Sequence, residues 1–391
     1  MATPRPQAIR RSSSAVFPLE LFFDLVFVLA LTQCSTLMAA DPTPAGIGRG
    51  LLALAVLWFA WTAYAWLTSV VDPEADAVRI TMFAAMAAML VVSMCVPGAF
   101  GDLALTFTVA YAAVRGIQIL LFVLASPDDP DLRRSVVGLA VSTSMAIVLL
   151  TAAAFTSGAT QAALWAVAIV LDFGGPFLFG SSGWRLVPGH FAERHEAVII
   201  IALGESVVAI GVGAAPATID AEVIAVAVLG LALAAALWWL HFDVVALVTR
   251  RRLESMEQGQ RCNALARDAY TFGHLPLVAG IVLTALALKT SMSQVTEPLS
   301  VPITAALCGG VAIYLLGQVL FRWRFSRTVN RERLVIAVVL LASIPLATRL
   351  AAWAAVVTVT VVTWALVAYE TTAWSDTRRL VRQDGGIPSR H

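Results

Sequence analysis

Long apolar runs, separated by short polar segments, fill this chain from about residue 18 to residue 370. Each run is about 18–22 residues long, the length that an α-helix needs to cross the hydrocarbon core of a bilayer. Of the 391 residues, 59% are hydrophobic and 13% are charged, and an ordinary soluble protein carries about twice that charge. The sequence therefore predicts an all-α, polytopic transmembrane helix bundle without a large soluble domain.

About twelve spans are predicted from the apolar runs. Arg349 divides the last run, and IPLATRLAA could instead kink a single helix, so eleven or ten spans are the alternatives. The predicted spans are 18–39, 50–71, 80–97, 103–125, 136–156, 161–181, 196–214, 222–243, 269–289, 301–320, 334–348 and 350–370.

The basic residues are distributed unevenly between the predicted loops. With the N-terminus inside, the outer segments hold Arg49, Lys289 and Arg349, Arg115 lies within a span, and the rest of the 26 basic residues are inside. Cytoplasmic loops of membrane proteins carry such an excess. We therefore expect a multi-pass protein of the cell inner (cytoplasmic) membrane with both termini cytoplasmic. Its polar tails, 1–17 and 373–391, and its basic inner loops are expected to meet anionic lipid headgroups.

A shift of 172 residues aligns DLVFVLALTQ at 24–33 with EAVIIIALGE at 196–205. The shift places Asp24 on Glu196, and each segment ends in a polar residue, Gln33 or Glu205. This pattern favours two parallel six-helix repeats, 18–182 and 183–372. Chance similarity between two helices rich in Val, Ala and Leu is the alternative.

Three ionisable residues lie near the middle of predicted spans: Arg115, Asp172 and Glu205. An ionised side chain at the bilayer centre costs about 2.5–3.5 kcal/mol on insertion scales, so each needs a partner or water. One interpretation is a structural ion pair between Arg115 and either acid. The other is a proton- or ion-coupled site in which one acid changes its charge. The sequence leaves both open.

The stretch ELFFDLVFVLALTQ at 20–33 places further polar groups in the first span. Glu20 and Asp24 are four residues apart and share one helix face, whereas Gln33 points away from Asp24. The two acids either cap the helix N-terminus at the headgroup level or form a cytoplasmic mouth for cations or for an inner-loop arginine.

The segment DFGGPF at 172–177 is a candidate for a broken helix, because two glycines and a proline follow Asp172. Interrupted spans with an acid at the break occur in transporter binding sites. Close helix packing around the glycines is the alternative interpretation.

A metal site is a weak possibility at the cytoplasmic ends of the spans. HFAERHE at 190–196 is not an HExxH motif, and His190, His195, His241 and Asp243 would have to meet in space. Interfacial hydrogen bonding is the simpler interpretation of the histidines. No metal or cofactor is predicted. The net charge is only +1, so no nucleic-acid partner is predicted either. The four cysteines show no CxxC spacing and are expected to be buried and reduced.

Five segments of the chain resemble one known family. These are ELFFDLVFVLALTQ, YAAVRG, HFAERHEAVIIIALGESV, ALWWLHFD and GHLPLVAGIVLTA, which lie between residues 20 and 285. Together they are similar to the bacterial low temperature requirement A family. The resemblance implies a polytopic membrane protein linked by name to growth in the cold, and it implies no catalytic residue or substrate. The matching motif positions are Glu20, Asp24, Arg115, Glu193, Arg194, Glu196, Gly204 and Glu205.

The predicted function is the movement of an ion or small solute by a transporter or channel, and the chain is expected not to be an enzyme. Glu205, Asp172 and Arg115 form the predicted polar centre, and the further candidates for binding are Asp24, Glu20, Gln33 and Glu196. One alternative is a lipid-modifying membrane enzyme that uses the histidine group. The other is a structural or sensory membrane protein for growth in the cold. A homo-oligomer is compatible with the sequence.

Overall fold

The computed structural model describes residues 16–126, 129–178, 183–184, 186–216, 218–376 and 378–379, with backbone alone for residues 176 and 178. These residues form helices, and among them the one β feature is an isolated bridge between Pro298 and Ala351. The predicted all-α fold class is confirmed. The α-helices are α1 (Pro18–Ala40), α2 (Pro44–Val70), α3 (Asp76–Cys95), α4 (Ala104–Ala125), α5 (Pro130–Ala153), α6 (Gly158–Leu178), α7 (Pro188–Ala214), α8 (Ala221–Phe242), α9 (Val245–Glu254), α10 (Gln260–Leu265), α11 (Leu275–Ser293), α12 (Val301–Ser326), α13 (Arg331–Ala347) and α14 (Ala352–Ala373).

Eleven helical segments of the described chain are long and apolar enough to cross a membrane. The predicted span 334–348 is not among them, because α13 has only 17 residues. The side chains on the outside of the spans are apolar: Val109, Val148 and Val170 expose 62%, 66% and 67% of their surface. The chain is a multi-pass membrane protein whose spans contact lipid.

Several helices begin earlier than predicted. Helix α5 starts at Pro130 and α7 at Pro188, where residues 136 and 196 were expected. Both starts place proline at the first helical position, where its missing N–H is not needed. The polar residues that follow were assigned to loops, but they form the first turns of the spans. Arg194, predicted in an inner loop, therefore lies inside α7.

The basic segment 244–268, which lies between the predicted spans 222–243 and 269–289, is mostly helical. It contains α9, α10 and the start of a π-helix at Ala266–Phe272. Helix α9 buries Ala246, Thr249 and Leu253 on one face and carries its arginines elsewhere. The segment was predicted as a loop because of its many charges, whereas its buried residues follow the spacing of a helix.

The candidate broken helix at 172–177 is continuous, because α6 runs through it without interruption. A β-carbon on Gly175 would lie 2.3 Å from Ser142 Oγ on α5. The structure therefore supports close packing of α5 and α6 as the role of this glycine. Arg349 does divide the last apolar run, since α13 and α14 are separate helices.

Contacts divide the chain into two compact units. Unit 1 consists of Met1–Leu37, Gly48–Arg194 and Glu257–Ala266, and unit 2 of Met38–Ile47, His195–Met256 and Arg267–His391. Within unit 1, α3 to α6 pack in chain order, and within unit 2, α12 packs between α11 and α13 while α14 packs on α8. The contact-based division falls inside α7 at 194/195, and the predicted halves 18–182 and 183–372 stay a prediction. The internal duplication stays a prediction.

The four cysteines are buried and are not joined in disulfides, as the sequence predicted.

Candidate functional site

The first polar group of unit 1 is built on the N-terminal turns of α1. The Phe17 backbone N–H donates to Glu20 Oε2 over 2.9 Å, which is the reciprocal half of a capping box. Glu20 therefore does cap the helix. However, neither Glu20 nor Asp24 exposes any surface, so these acids do more than mark a helix end at the headgroups.

Asp24 receives two strong hydrogen bonds on one carboxylate oxygen. Arg194 Nη2 donates to Asp24 Oδ1 over 2.7 Å, and Trp61 Nε1 donates to the same oxygen over 2.8 Å. The Arg194 guanidinium also lies 5.8 Å from the centre of the Trp61 ring, within the range of a cation–π contact. Arg194 exposes no surface either. The fully desolvated ion pair between Asp24 and Arg194 therefore joins α1 and α7, and the hydrogen bond from Trp61 adds α2.

Glu20 is joined to α7 by His190. Glu20 Oε1 lies 2.8 Å from His190 Nε2 and 3.8 Å from Arg194 Nη1. On its other side, His190 Nδ1 lies 3.2 Å from Ser69 Oγ on α2. The four ionisable groups Glu20, Asp24, His190 and Arg194 thus form one buried set, which we call the acid–base cluster.

Arg115 forms an ion pair with Asp172, and hydrogen bonds from neighbouring side chains reinforce this pair. Arg115 Nη2 lies 3.1 Å from Asp172 Oδ1 and 2.8 Å from Thr143 Oγ1, while Thr143 Oγ1 donates to the same Asp172 oxygen over 2.9 Å. Tyr111 O–H donates to Asp172 Oδ2 over 3.0 Å. Of the two acids that the sequence left open as partners of Arg115, the described structure pairs it with Asp172. This ion pair and its hydrogen bonds link α4, α5 and α6.

There is little room beside this pair. The adjoining cavity is about 10 Å³ and is lined by Asp172 and Tyr111 together with apolar side chains such as Phe59 and Leu150. A volume of that size holds at most about one water molecule. Both oxygens of Asp172 are thus occupied, one by Arg115 and Thr143 and the other by Tyr111.

The other histidines of the predicted metal group lie in unit 2. The His195 and His274 rings are 5.2 Å apart and the His241 and His274 rings 5.8 Å apart, centre to centre. Gln318 Nε2 donates to His241 Nδ1 over 2.9 Å. His274 lies two residues after the end of the π-helix at Phe272, and π-helices often occur at functional sites. Among the described residues, no set of three or more His, Cys, Asp or Glu could hold a metal ion.

The remaining sequence candidates occupy different surroundings. Glu205 is buried on α7 in unit 2. Glu196 lies 3.8 Å from Arg250 in the same unit. Gln33 is half-buried on α1, and none of the described hydrogen bonds connects it to the acid–base cluster.

Asp243, the last of the metal candidates, pairs with Arg378 from the C-terminal segment. Arg378 Nη2 lies 2.7 Å from Asp243 Oδ1, and Arg378 Nε bonds the second carboxylate oxygen. This hydrogen bonding raises the pKa of Arg378, which lies beyond the last span. The two-point contact fastens the C-terminal segment to the end of α8.

The sequence did not single out Arg194 as the arginine of the acid–base cluster, nor Trp61 and Ser69 as residues that contact it. One signal was available: His190 and Arg194 are four residues apart and share a face once the helix begins at Pro188. For Trp61 and Ser69 there was no local signal, since their roles depend on which helices pack together.

The sequence matches the family model described as bacterial low temperature requirement A protein over residues 15–368. An uncharacterized protein of Rhizobium meliloti (strain 1021) is 28% identical over 329 residues, which make up 81% of this chain and 78% of that relative. The range 15–368 that the family model covers contains the positions of all four members of the acid–base cluster.

Proposed function

The chain belongs to the bacterial low temperature requirement A protein family, and from this premise we propose that it is a transporter or channel that moves an ion or small solute across the cytoplasmic membrane. Both termini are assigned to the cytoplasm, in keeping with the excess of arginine in the predicted inner segments.

The observation that carries the proposal is the acid–base cluster of unit 1. Its four members, Glu20, Asp24, His190 and Arg194, are ionisable side chains without any exposed surface. Burying charged groups inside a bundle of membrane-spanning helices is costly, and such groups usually belong to ion or substrate pathways. A well-packed apolar core of the same volume is often as stable as a buried ion pair or more stable. Stability alone is therefore a weak reason for keeping four such groups.

The chemistry of the cluster favours a cationic species. Two carboxylates, Glu20 and Asp24, supply oxygen ligands that suit a proton or a metal cation. Arg194 supplies a fixed positive charge that is hydrogen-bonded to Asp24. A passing cation would compete with Arg194 for Asp24, and this competition is a means of coupling ion binding to a shift of α7 against α1.

The Arg115–Asp172 pair takes a different role in this proposal. Its hydrogen bonds to Thr143 and Tyr111 occupy both Asp172 oxygens, so we assign it to structure and not to the transport site. Glu205 stays a candidate of unit 2, and the Glu205→Gln substitution is expected to abolish flux while the protein still accumulates and melts normally.

Reconstitution into liposomes with a panel of ions and small solutes tests the proposal. The wild-type protein is expected to move at least one of them faster than protein-free vesicles do. Glu20→Gln keeps the size of the side chain but removes its charge, and it should abolish that flux. Glu74→Gln is the matched control, because Glu74 forms an exposed pair with Arg79.

Folding of each variant is followed by size-exclusion elution and thermal inactivation in detergent. If Glu20→Gln folds normally and moves the solute as the wild type does, the cluster is not the transport site. If wild-type vesicles move none of the panel, the transport proposal itself is contradicted.

A further inference from the structure

The contact between Glu20 and His190 defines more than an ion pair. Its two atoms, Glu20 Oε1 and His190 Nε2, are 2.8 Å apart, a hydrogen-bond distance that requires a hydrogen between them. A carboxylate oxygen and a deprotonated ring nitrogen are both acceptors. Either the imidazole or the carboxyl group must therefore carry that hydrogen.

Ser69 indicates the state of the other ring nitrogen. The Ser69 hydroxyl donates to the Ala65 backbone carbonyl over 3.0 Å, the shorter of its two contacts. Because a hydroxyl has one hydrogen, the Ser69 oxygen then acts as an acceptor towards His190 Nδ1 at 3.2 Å. Under this assignment His190 Nδ1 carries a hydrogen.

With Nδ1 protonated, the hydrogen in the Glu20 contact can belong to either group. It lies on Glu20 as a carboxylic acid that donates to a neutral ring, or on Nε2 as an imidazolium that donates to a carboxylate. The two arrangements differ only in the position of one proton along a 2.8 Å contact. Losing this proton leaves two acceptors face to face, and the contact must open.

We propose that Glu20 and His190 form a proton-binding site, and that a proton is the ion to which transport by this protein is coupled. The coupling half of this inference rests on the proposed function. In the exchange step, the O–H or N–H bond breaks, the proton passes to water, and the Glu20 carboxylate is left beside the Nε2 lone pair. Reprotonation from water forms the bond again and restores the link between α1 and α7.

Other groups of the described chain face this pair from each helix that contributes to the cluster. Arg194 of α7 places Nη1 3.8 Å from Glu20 Oε1. Asp24 lies one turn further along α1 and is held by Arg194 and Trp61. From α2, Ser69 contacts the ring. Arg194 thus contacts both acids. Breaking the contact between Glu20 and His190 would therefore change the electrostatic surroundings of Asp24.

Nitrogen-15 NMR of histidine-labelled full-length protein in lipid nanodiscs tests the proton site without any transport assay. The chain has five histidines, and the His190 signals are assigned by their loss in His190→Gln. Nδ1 is expected to stay protonated, while the Nε2 signal moves through a single transition on titration. In Glu20→Gln the transition should be lost or displaced, because the amide cannot share a proton with the ring.

The opposite tautomer overturns the proposal. If His190 carries its hydrogen on Nε2 and a lone pair on Nδ1 over the whole pH range in which the protein is folded, no proton is shared with Glu20. Ser69→Ala provides a second check. It removes the acceptor at Nδ1 and should alter the position of the transition, and an unchanged titration would contradict the assigned tautomer.

Vesicles with an imposed pH gradient test the coupling. The wild type is expected to drive uphill movement of its solute by the gradient, and Glu20→Gln should lose that drive. If the wild-type protein moves a solute but ignores the gradient, the proton coupling fails while the transport proposal stands. If no solute moves, the transport proposal fails and the NMR titration still decides the proton site.

Discussion

Arg194 Nη2 donates to Asp24 Oδ1 over 2.7 Å and so joins α7 to α1 through two residues that are 170 positions apart in the sequence. Neither side chain exposes any surface to its surroundings. The contact brings the segment HFAER at 190–194 onto the acidic face of α1. It makes the start of α7 part of the same site as the start of α1.

Neutralising Asp24 should destabilise the protein strongly. Asp24→Asn keeps the size of the side chain and an acceptor oxygen, but it removes the negative charge closest to the buried Arg194 guanidinium and leaves only the longer contact with Glu20 at 3.8 Å. Removing one partner of a buried pair typically costs about 3–5 kcal/mol. The expected result is a clear drop in the midpoint of thermal inactivation in detergent.

Two further variants serve as controls for this prediction. Combining Asp24→Asn with Arg194→Gln removes both charges and should recover part of the loss. Glu74→Gln breaks the pair with Arg79, in which the side chains are 45% and 41% exposed, and should change stability by less than about 1 kcal/mol. Equal effects of Asp24→Asn and Glu74→Gln would contradict the buried pair.

Thr143 is expected to hold the Arg115–Asp172 pair in position. Thr143→Val keeps the shape of the side chain and removes hydrogen bonds to both charged partners. Hydrogen bonds to charged groups contribute about 1.5–3 kcal/mol, so we expect a loss of stability in that range. Chemical unfolding in mild detergent measures it, and Thr358→Val, whose hydroxyl bonds only to its own helix backbone at an exposed position, should have almost no effect.

Helices α11 and α12 approach closely at two glycines. A β-carbon on Gly280 would lie 2.5 Å from the Gly310 carbonyl oxygen, whereas one on Gly309 would have no neighbour within 4 Å. Gly280→Ala should therefore destabilise unit 2 by about 1–3 kcal/mol through overpacking. Gly309→Ala should be neutral or stabilising, because alanine favours a helix by about 1 kcal/mol over glycine.

A comparison of the two alanine variants by thermal inactivation checks this packing. If Gly309→Ala proves as damaging as Gly280→Ala, the close approach of α11 and α12 at Gly280 is wrong.

Much of the fold follows from the length of the apolar runs. The positions of the spans were predicted from hydropathy, and the largest error concerned where they begin. Charged residues before a span suggested loops, but Pro188 starts α7 well before its apolar core, and His190 and Arg194 lie within the helix.

The site was less accessible to sequence reasoning. Depth in a span identified Arg115 and Asp172 as buried, but the sequence could not choose between Asp172 and Glu205 as the partner of Arg115. That choice depends on which helices pack together. Trp61 and Ser69 raised no expectation of a site, since a tryptophan or serine in a span is most often a packing residue.

The most direct test of the central claim is solute flux in liposomes, compared between Glu20→Gln and Asp172→Asn after normalisation to folded protein. The account places Glu20 in the transport site and Asp172 in a structural link. It therefore predicts that Glu20→Gln loses flux, while Asp172→Asn lowers stability but keeps substantial flux per folded molecule. Retained flux in Glu20→Gln, or equal loss in both variants, would contradict it.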